Sequence, residues 1–216
     1  HFINDYQFMT NTPLLNIVKR LRPQRIPFRH LAQRSAVAII SRQGKNGKEI
    51  LFIERASREG DPWSGHIAFP GGKHQNSDTS IRATAIRETQ EEIGLNLTKH
   101  ARFNGRSPDL VTRRHNALKP MIVTPYYFQL TDPDCTMTLN HEVASTFWVP
   151  VHFLRNKNNK STFKWAPFPS LSLSIDLPCF YYRHHDNKHR IWGLTYRMLL
   201  DHLESSSPDN CTPTEK

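Results

Sequence analysis

The segment that most constrains this chain runs from Gly71 to Gly94. It opens on Gly71-Gly72, a pair that lets the backbone turn sharply and approach a ligand closely. It closes on Gly94, a C-terminal helix stop, and residues from about Asp78 to Ile93 between them predict a helix. Residues three and four apart share a helix face, so Glu88, Glu91 and Glu92 project together within an arc of roughly 100°. Ala85, Ile86, Thr89 and Ile93 occupy another arc, which is expected to be buried against a sheet. Three like charges so placed repel one another in an isolated helix. The usual compensation is a hard divalent cation with oxygen ligands, Mg²⁺ or Mn²⁺. Arg87, four residues before Glu91, is placed to hold that carboxylate in one rotamer.

Around this segment the pattern alternates strands and helices. Thr12-Pro13 followed by Leu14, Leu15, Ile17, Val18 and Leu21 predicts a short amphipathic helix that Pro23 stops. Residues 36–40 and 50–53 read as a β-hairpin around a loop with Gly44 and Gly47. Ile67 to Phe69 reads as a strand ended by a tight loop at Pro70-Gly71-Gly72. Strands are expected over 121–130, with Pro125 marking a bulge or an edge, and over 143–149, followed by a helical turn from Pro150 to Leu154. Residues 155–164 read as loop. A last hairpin is expected at 180–182 and 190–192, then a helix over 194–203. The order predicts a mixed sheet with helices packed on it. Residues 1–33 form a basic extension, 34–204 the domain and 205–216 a disordered Ser/Pro/Thr-rich tail.

With 216 residues, one core is the economical reading, and no apolar run is long enough to span a bilayer. The net charge of +10 is unevenly placed: nine bases and no acid lie in residues 6–48, whereas the remainder is nearly neutral. An Arg-rich, acid-free N-terminus resembles an organelle transit sequence, mitochondrial or peroxisomal; the cytoplasm is the other expected address, and no secretory signal is visible. Cys135, Cys179 and Cys211 are scattered and odd in number, which argues against a disulfide framework or zinc site and for a reducing compartment. His184, His185 and His189 sit among polar and charged residues and read as a solvated turn.

By themselves, three glutamates read most simply as a solvated helix face. The segment, however, resembles the signature of the Nudix hydrolases, with Arg87, Glu88, Glu91, Glu92, Gly94 and Leu95 at the matching positions. Thr89 stands where an aliphatic residue is usual, Asp78 near where a glutamate is usual, and the interval from Gly72 to Arg87 is one residue longer. That longer interval, preceded by Gly65-His66-Ile67-Ala68-Phe69-Pro70-Gly71-Gly72, is similar to the coenzyme A diphosphatase-like branch, as is Ile191-Trp192-Gly193-Leu194-Thr195-Tyr196-Arg197. Asp61 departs from the branch, which carries an arginine there.

The resemblance implies a Nudix fold, a mixed β-sheet sandwiched between helices, and metal-dependent hydrolysis of a diphosphate linkage in a nucleoside diphosphate derivative, coenzyme A or a related compound first. It implies Glu88 and Glu92 as metal ligands, Glu91 as ligand or local base, Arg87 as the residue that orients them, and a carbonyl near Gly71 or Gly72 as a further ligand. Glu142, before the 143–149 strand, is a candidate extra ligand or base. Arg113, Arg114 and His115 are candidates for substrate phosphates, and Lys73 and Arg82 for offsetting charge at the box. Other nucleotides (ADP-ribose, a dinucleotide, capped RNA), a non-catalytic nucleotide-binding module and a homodimer stay open. The basic block lacks aromatic interleaving, which weighs against nucleic acid.

Overall fold

Apolar residues on both parities of residues 36–40 and 50–53 require a strand pair buried on two faces. In the computed structural model, which describes residues 32–59, 63–112, 120–132, 134–168 and 173–205, that pair is β1 (Gln33–Gly44) and β2 (Gly47–Arg55). They turn through Lys45-Asn46 and pair only from Ser41↔Ile50 to Gly44↔Gly47. Beyond that the two strands fork. β3 (Ile67–Ala68) enters the fork along β2, and β4 (Gly71–Lys73) along Ser35–Val37 of β1. Pro70 lies at the step between them, its carbonyl accepting from the Ala38 N–H at 2.8 Å. The expected tight loop after Phe69 is thus a short strand, because the forked β1 offers Gly71 and Gly72 an open ladder.

The main sheet is mixed. β7 (Met121–Leu130) runs parallel to β1, while β8 (Val143–Pro150) is antiparallel to the outer side of β2. Pro125 was expected at a bulge or an edge, yet β7 is interior, with β5 (Ala101–Arg106) and β6 (Leu110–Thr112) on its other side. Pro125 is tolerated because β5 pairs with Tyr126–Leu130 and β6 with Met121–Val123, so the missing N–H falls where the neighbouring chain crosses from one strand to the other.

α1 (Ile81–Ile93) packs on one face of this sheet with Ala36, Ala38, Ile40, Leu51 and Ile53, and α2 (Leu97–His100) follows it. The opposite face carries Ile39, Ile50, Phe52 and Phe147. It is covered by α4 (Gly193–Ser205) and by a second, antiparallel sheet of β9 (Lys160–Phe168), β10 (Leu173–His184) and β11 (Asn187–Trp192). α3 (Val151–Arg155) and a 3₁₀ turn (Lys157–Asn159) lead into β9. The sandwich therefore has helix alone on one side and helix with sheet on the other.

Residues 160–164, read as loop, belong to β9: their polar side chains lie along a strand that gains its order from β10. The His-rich turn is solvated only at its tip. His189 is 6% exposed and stacks on Phe147 with 4.1 Å between ring centroids. The helix expected over 13–21 and the tail after 205 lie outside the described residues. Among the described residues no helix is long and apolar enough to cross a membrane.

Candidate active site

α1 begins three residues after the expected Asp78 because Ser80 is the better cap. Ser80 has extended backbone, and its Oγ accepts from the Ala83 N–H at 3.1 Å. Asp78 is left in the preceding turn, where its carboxylate accepts from the Gln75 N–H and the Thr84 hydroxyl, each at 2.9 Å. The helix ends at Gly94, in the left-handed region, with its N–H on the Gln90 carbonyl.

These caps set the rotation of α1, and the three glutamates then meet three environments. Glu92 is 3% exposed and lies between helix and sheet, its Oε2 accepting from the Gly71 N–H at 2.8 Å. Glu88 is half-buried, and Glu91 faces solvent with its side chain 53% exposed. The expectation that all three converge on one open volume is corrected here. Among the described residues no three acidic, His or Cys side chains form a ready metal cluster. Glu92 shares the arc that Thr89 and Ile93 bury, since position 92 follows 89 by three and 85 by seven.

Arg87 links the other two. It donates from Nη1 to Glu91 at 2.8 Å and from Nη2 to Glu88 at 2.9 Å. Its remaining contacts were not foreseen: Nε to Asp78 Oδ1 at 2.8 Å, and Nη2 to Asp78 Oδ2 and to the Lys73 carbonyl. The fork contact with Asp78 holds that carboxyl well below the usual carboxylate range, and Asp78 in turn raises the guanidinium above its own. A fixed cation thus sits between two anionic residues of the helix, locking the Glu88 and Glu91 rotamers.

β4 supplies the floor. At Gly72 a Cβ would strike the Glu88 carboxylate, and at Gly71, with φ 153°, it would strike the Ala36 carbonyl. The close backbone approach expected for this pair is made first to the protein's own carboxylate and strand. The Gly72 carbonyl, one of the candidate ligands, accepts from Ser35 Oγ.

Glu142 reaches the same cleft from the loop just before β8. The loop before β8 is tied to the end of α1 by Thr138 N–H on the Ile93 carbonyl and Asn140 N–H on the Glu92 carbonyl, both 2.9 Å. Glu142 pairs with Arg58 at 3.4 Å, and its charge acts on Glu92 together with that of Glu88. Arg55 and Arg58, at the open end of β2, were missed by sequence reading because nothing in their spacing announces the fork. Lys73 lends its carbonyl to Arg87. Arg82 lies over the Phe103 ring at 4.7 Å, packing on an aromatic side chain of β5. Arg113, Arg114 and His115 lie outside the described residues.

The donor set fits a divalent cation. Burial pushes Glu92 up to about 7, with the Glu88 and Glu142 charges adding to it against the Gly71 N–H and Arg55, and burial likewise raises Glu88. Two carboxylates desolvated side by side are destabilised as anions until a cation joins them, and oxygen-only ligands suit a hard ion.

The NUDIX domain family model matches residues 32–169, more than half of the chain and the whole of this cleft. The chain belongs to the NUDIX domain family. The Nudix chain is 31% identical over 149 residues to the Mus musculus protein named mitochondrial coenzyme A diphosphatase NUDT8, covering 68% of this chain and 65% of that one. It is 30% identical over 121 residues to the Caenorhabditis elegans peroxisomal coenzyme A diphosphatase ndx-8, covering 56% and 49%. It thus spans less than two thirds of the length of these relatives. Among solved structures, a MutT/nudix family protein from Enterococcus faecalis matches with TM-score 0.51 at 12% identity, over 94% of this chain and 71% of that one, which shows the Nudix fold.

Proposed function

We propose that this Nudix chain hydrolyses the diphosphate linkage of a nucleoside diphosphate derivative, with coenzyme A or a related compound as the first substrate to test. The observation that carries the reading is the buried Glu92 carboxylate held on the Gly71 N–H beside Glu88, with Arg87 bridging Glu88 and Glu91. Glu88 and Glu92 would hold Mg²⁺ or Mn²⁺, with Glu91 or Glu142 completing the set. When bound, such an ion polarises a phosphoryl oxygen, activates water and offsets charge on the leaving phosphate. Arg87 keeps two of the carboxylates in place before substrate arrives. Glu142, which pairs with Arg58, or Glu91 would take a proton from the attacking water, and Arg55 and Arg58 would offset substrate charge.

The coenzyme A preference rests on the names of the relatives and on the Phe69-Pro70-Gly71-Gly72 run, whose glycines are required by Ala36 and Glu88. A compartment that keeps thiols reduced belongs to the same proposal, and the relatives' mitochondrial and peroxisomal names set an organelle beside the cytoplasm as the address to test. The deciding experiment is a Mg²⁺ and Mn²⁺ screen of coenzyme A, acyl-coenzyme A, ADP-ribose, dinucleotides, nucleoside triphosphates and capped RNA, with product identification. Release of adenosine 3′,5′-bisphosphate together with phosphopantetheine from coenzyme A supports the reading. Turnover of capped RNA alone overturns the substrate, and no turnover with either metal overturns the activity.

A further inference from the structure

A row of four rings runs from Trp63, in the loop before β3, through His66 and Trp192 to Phe163 of β9. Trp63 meets His66 edge-on at 5.4 Å between centroids, His66 meets Trp192 at 5.1 Å, and Trp192 meets Phe163 edge-on at 5.0 Å. Arg190 closes the far end, its Cζ 4.0 Å from the Phe163 centroid and 5.7 Å from that of Trp192. Phe163 is 9% exposed, whereas Trp63 is 45% exposed. A tryptophan of that exposure, held by a ring behind it, presents a large apolar face at low entropic cost, and such a face binds another π system well.

The backbone ties this row to the cleft. The Arg55 carbonyl accepts from the Gly65 N–H at 3.1 Å, and the Arg55 N–H donates to the His66 carbonyl at 3.0 Å. Ser64 Oγ accepts from the Arg58 N–H and donates to the Arg58 carbonyl, each at 2.9 Å. Arg55 is the cation that acts on Glu92, and Arg58 is the partner of Glu142. The aromatic row and the carboxylates are therefore held on the same two arginine residues, which sets both at the same end of β2. A group flexibly joined to that diphosphate and carrying a flat π face fits this position.

We infer that Trp63, backed by His66 and Trp192, is a stacking platform for the nucleobase of the diphosphate substrate. This inference rests on the proposed hydrolase reading for its substrate and goes beyond it by naming the residues that select a base-bearing compound. Trp63 is a binding residue here, and the chemistry stays with the carboxylates. Stacking on an aromatic face tolerates any base, so the platform selects base-bearing over base-free diphosphates more strongly than one base over another.

The test uses the full chain in two measurements. In the first, AMP is titrated with a chelator present while tryptophan fluorescence is followed. Wild type is expected to quench saturably, and Trp63→Ala to lose most of that quenching. In the second, KM and kcat are measured with Mg²⁺ for an adenine-bearing diphosphate and for a dialkyl diphosphate without a base. Trp63→Ala is expected to raise KM for the adenine compound about tenfold with kcat within about twofold, to leave KM for the base-free compound within about twofold, and Trp63→Phe is expected to recover most of the loss. Equal KM changes for both compounds, or quenching that survives Trp63→Ala, overturns the platform. If wild type hydrolyses no diphosphate at all, the hydrolase reading fails, and the AMP titration, which needs no turnover, still decides whether the stacking site exists.

Discussion

α1 and α4 are both thirteen residues long and press on opposite faces of one sheet, but with different chemistry. α4 buries Tyr196, Met198, Leu199 and Leu203 into a cluster with Phe52, Phe147 and Phe180. α1 buries Thr84, Thr89 and Glu92 alongside Ile81, Ala85 and Ile93. Each of its buried polar groups is satisfied: the Thr89 hydroxyl donates to the Ala85 carbonyl at 2.7 Å, that of Thr84 to Asp78, and Glu92 accepts from Gly71. α4 is positioned mainly by volume, with one buried hydroxyl, Thr195, donating to the Ile67 carbonyl at 3.0 Å, and α1 mainly by hydrogen bonds. Hydrogen bonds have direction and apolar contacts do not, so the helix that must aim carboxylates is the one that sacrifices apolar burial to polar partners.

The comparison breaks most visibly at Glu92. Glu92→Gln is expected to lower kcat/KM by about a thousandfold or more, roughly 4 kcal/mol in barrier. Its melting temperature is expected to hold or rise, because the amide oxygen still accepts from Gly71 and a desolvated charge is removed. Steady-state kinetics beside a thermal melt would decide it; full activity would sink the metal-site assignment. The converse change, Leu199→Ala in α4, is expected to cost about 3 kcal/mol of unfolding free energy as a cavity opens in the opposite cluster, with kcat per folded molecule nearly unchanged. Denaturant unfolding and activity normalised to folded protein check this together.

The smallest effect concerns His202, a titratable group that α4 buries. Burial pushes His202 down to about 4, with Lys48 of β2 and Arg155 of α3 adding to the shift, and its ring lies 4.5 Å from that of Tyr127. A depressed folded value means that the unfolded chain binds the proton first. Stability is therefore full above the ordinary imidazole value near 6.5 and falls as the pH drops toward 4. The loss is on the order of 2 kcal/mol, and His202→Phe is expected to flatten that part of the stability curve. An unchanged slope in the variant would show that His202 does not carry the acid sensitivity.

Much of this arrangement was legible because it is local. The Gly94 stop, the apolar periodicity behind α1, the β1–β2 and β10–β11 hairpins and α4 depend on residues within a few positions of one another. β5, β6 and β9 were missed because their sequences are short or polar and their order comes from pairing with β7 or β10. Pro125 misled for the same reason: what matters is where the neighbouring strands change over, which no window around residue 125 contains.

The site divides in the same way. The sequence by itself determined that Glu88, Glu91 and Glu92 ride on one helix with Arg87 among them, since helical geometry converts spacing into direction. Only the tertiary structure decided that Glu92 is buried on Gly71 while Glu91 stays in water, that Asp78 grips Arg87, and that Glu142 meets Arg58. Burial and charge coupling depend on distances between segments far apart in the chain, and the fork of β1 and β2 sets those distances. The aromatic row from Trp63 to Phe163 belongs to this second kind, since three distant stretches of chain meet there through pairing and packing alone.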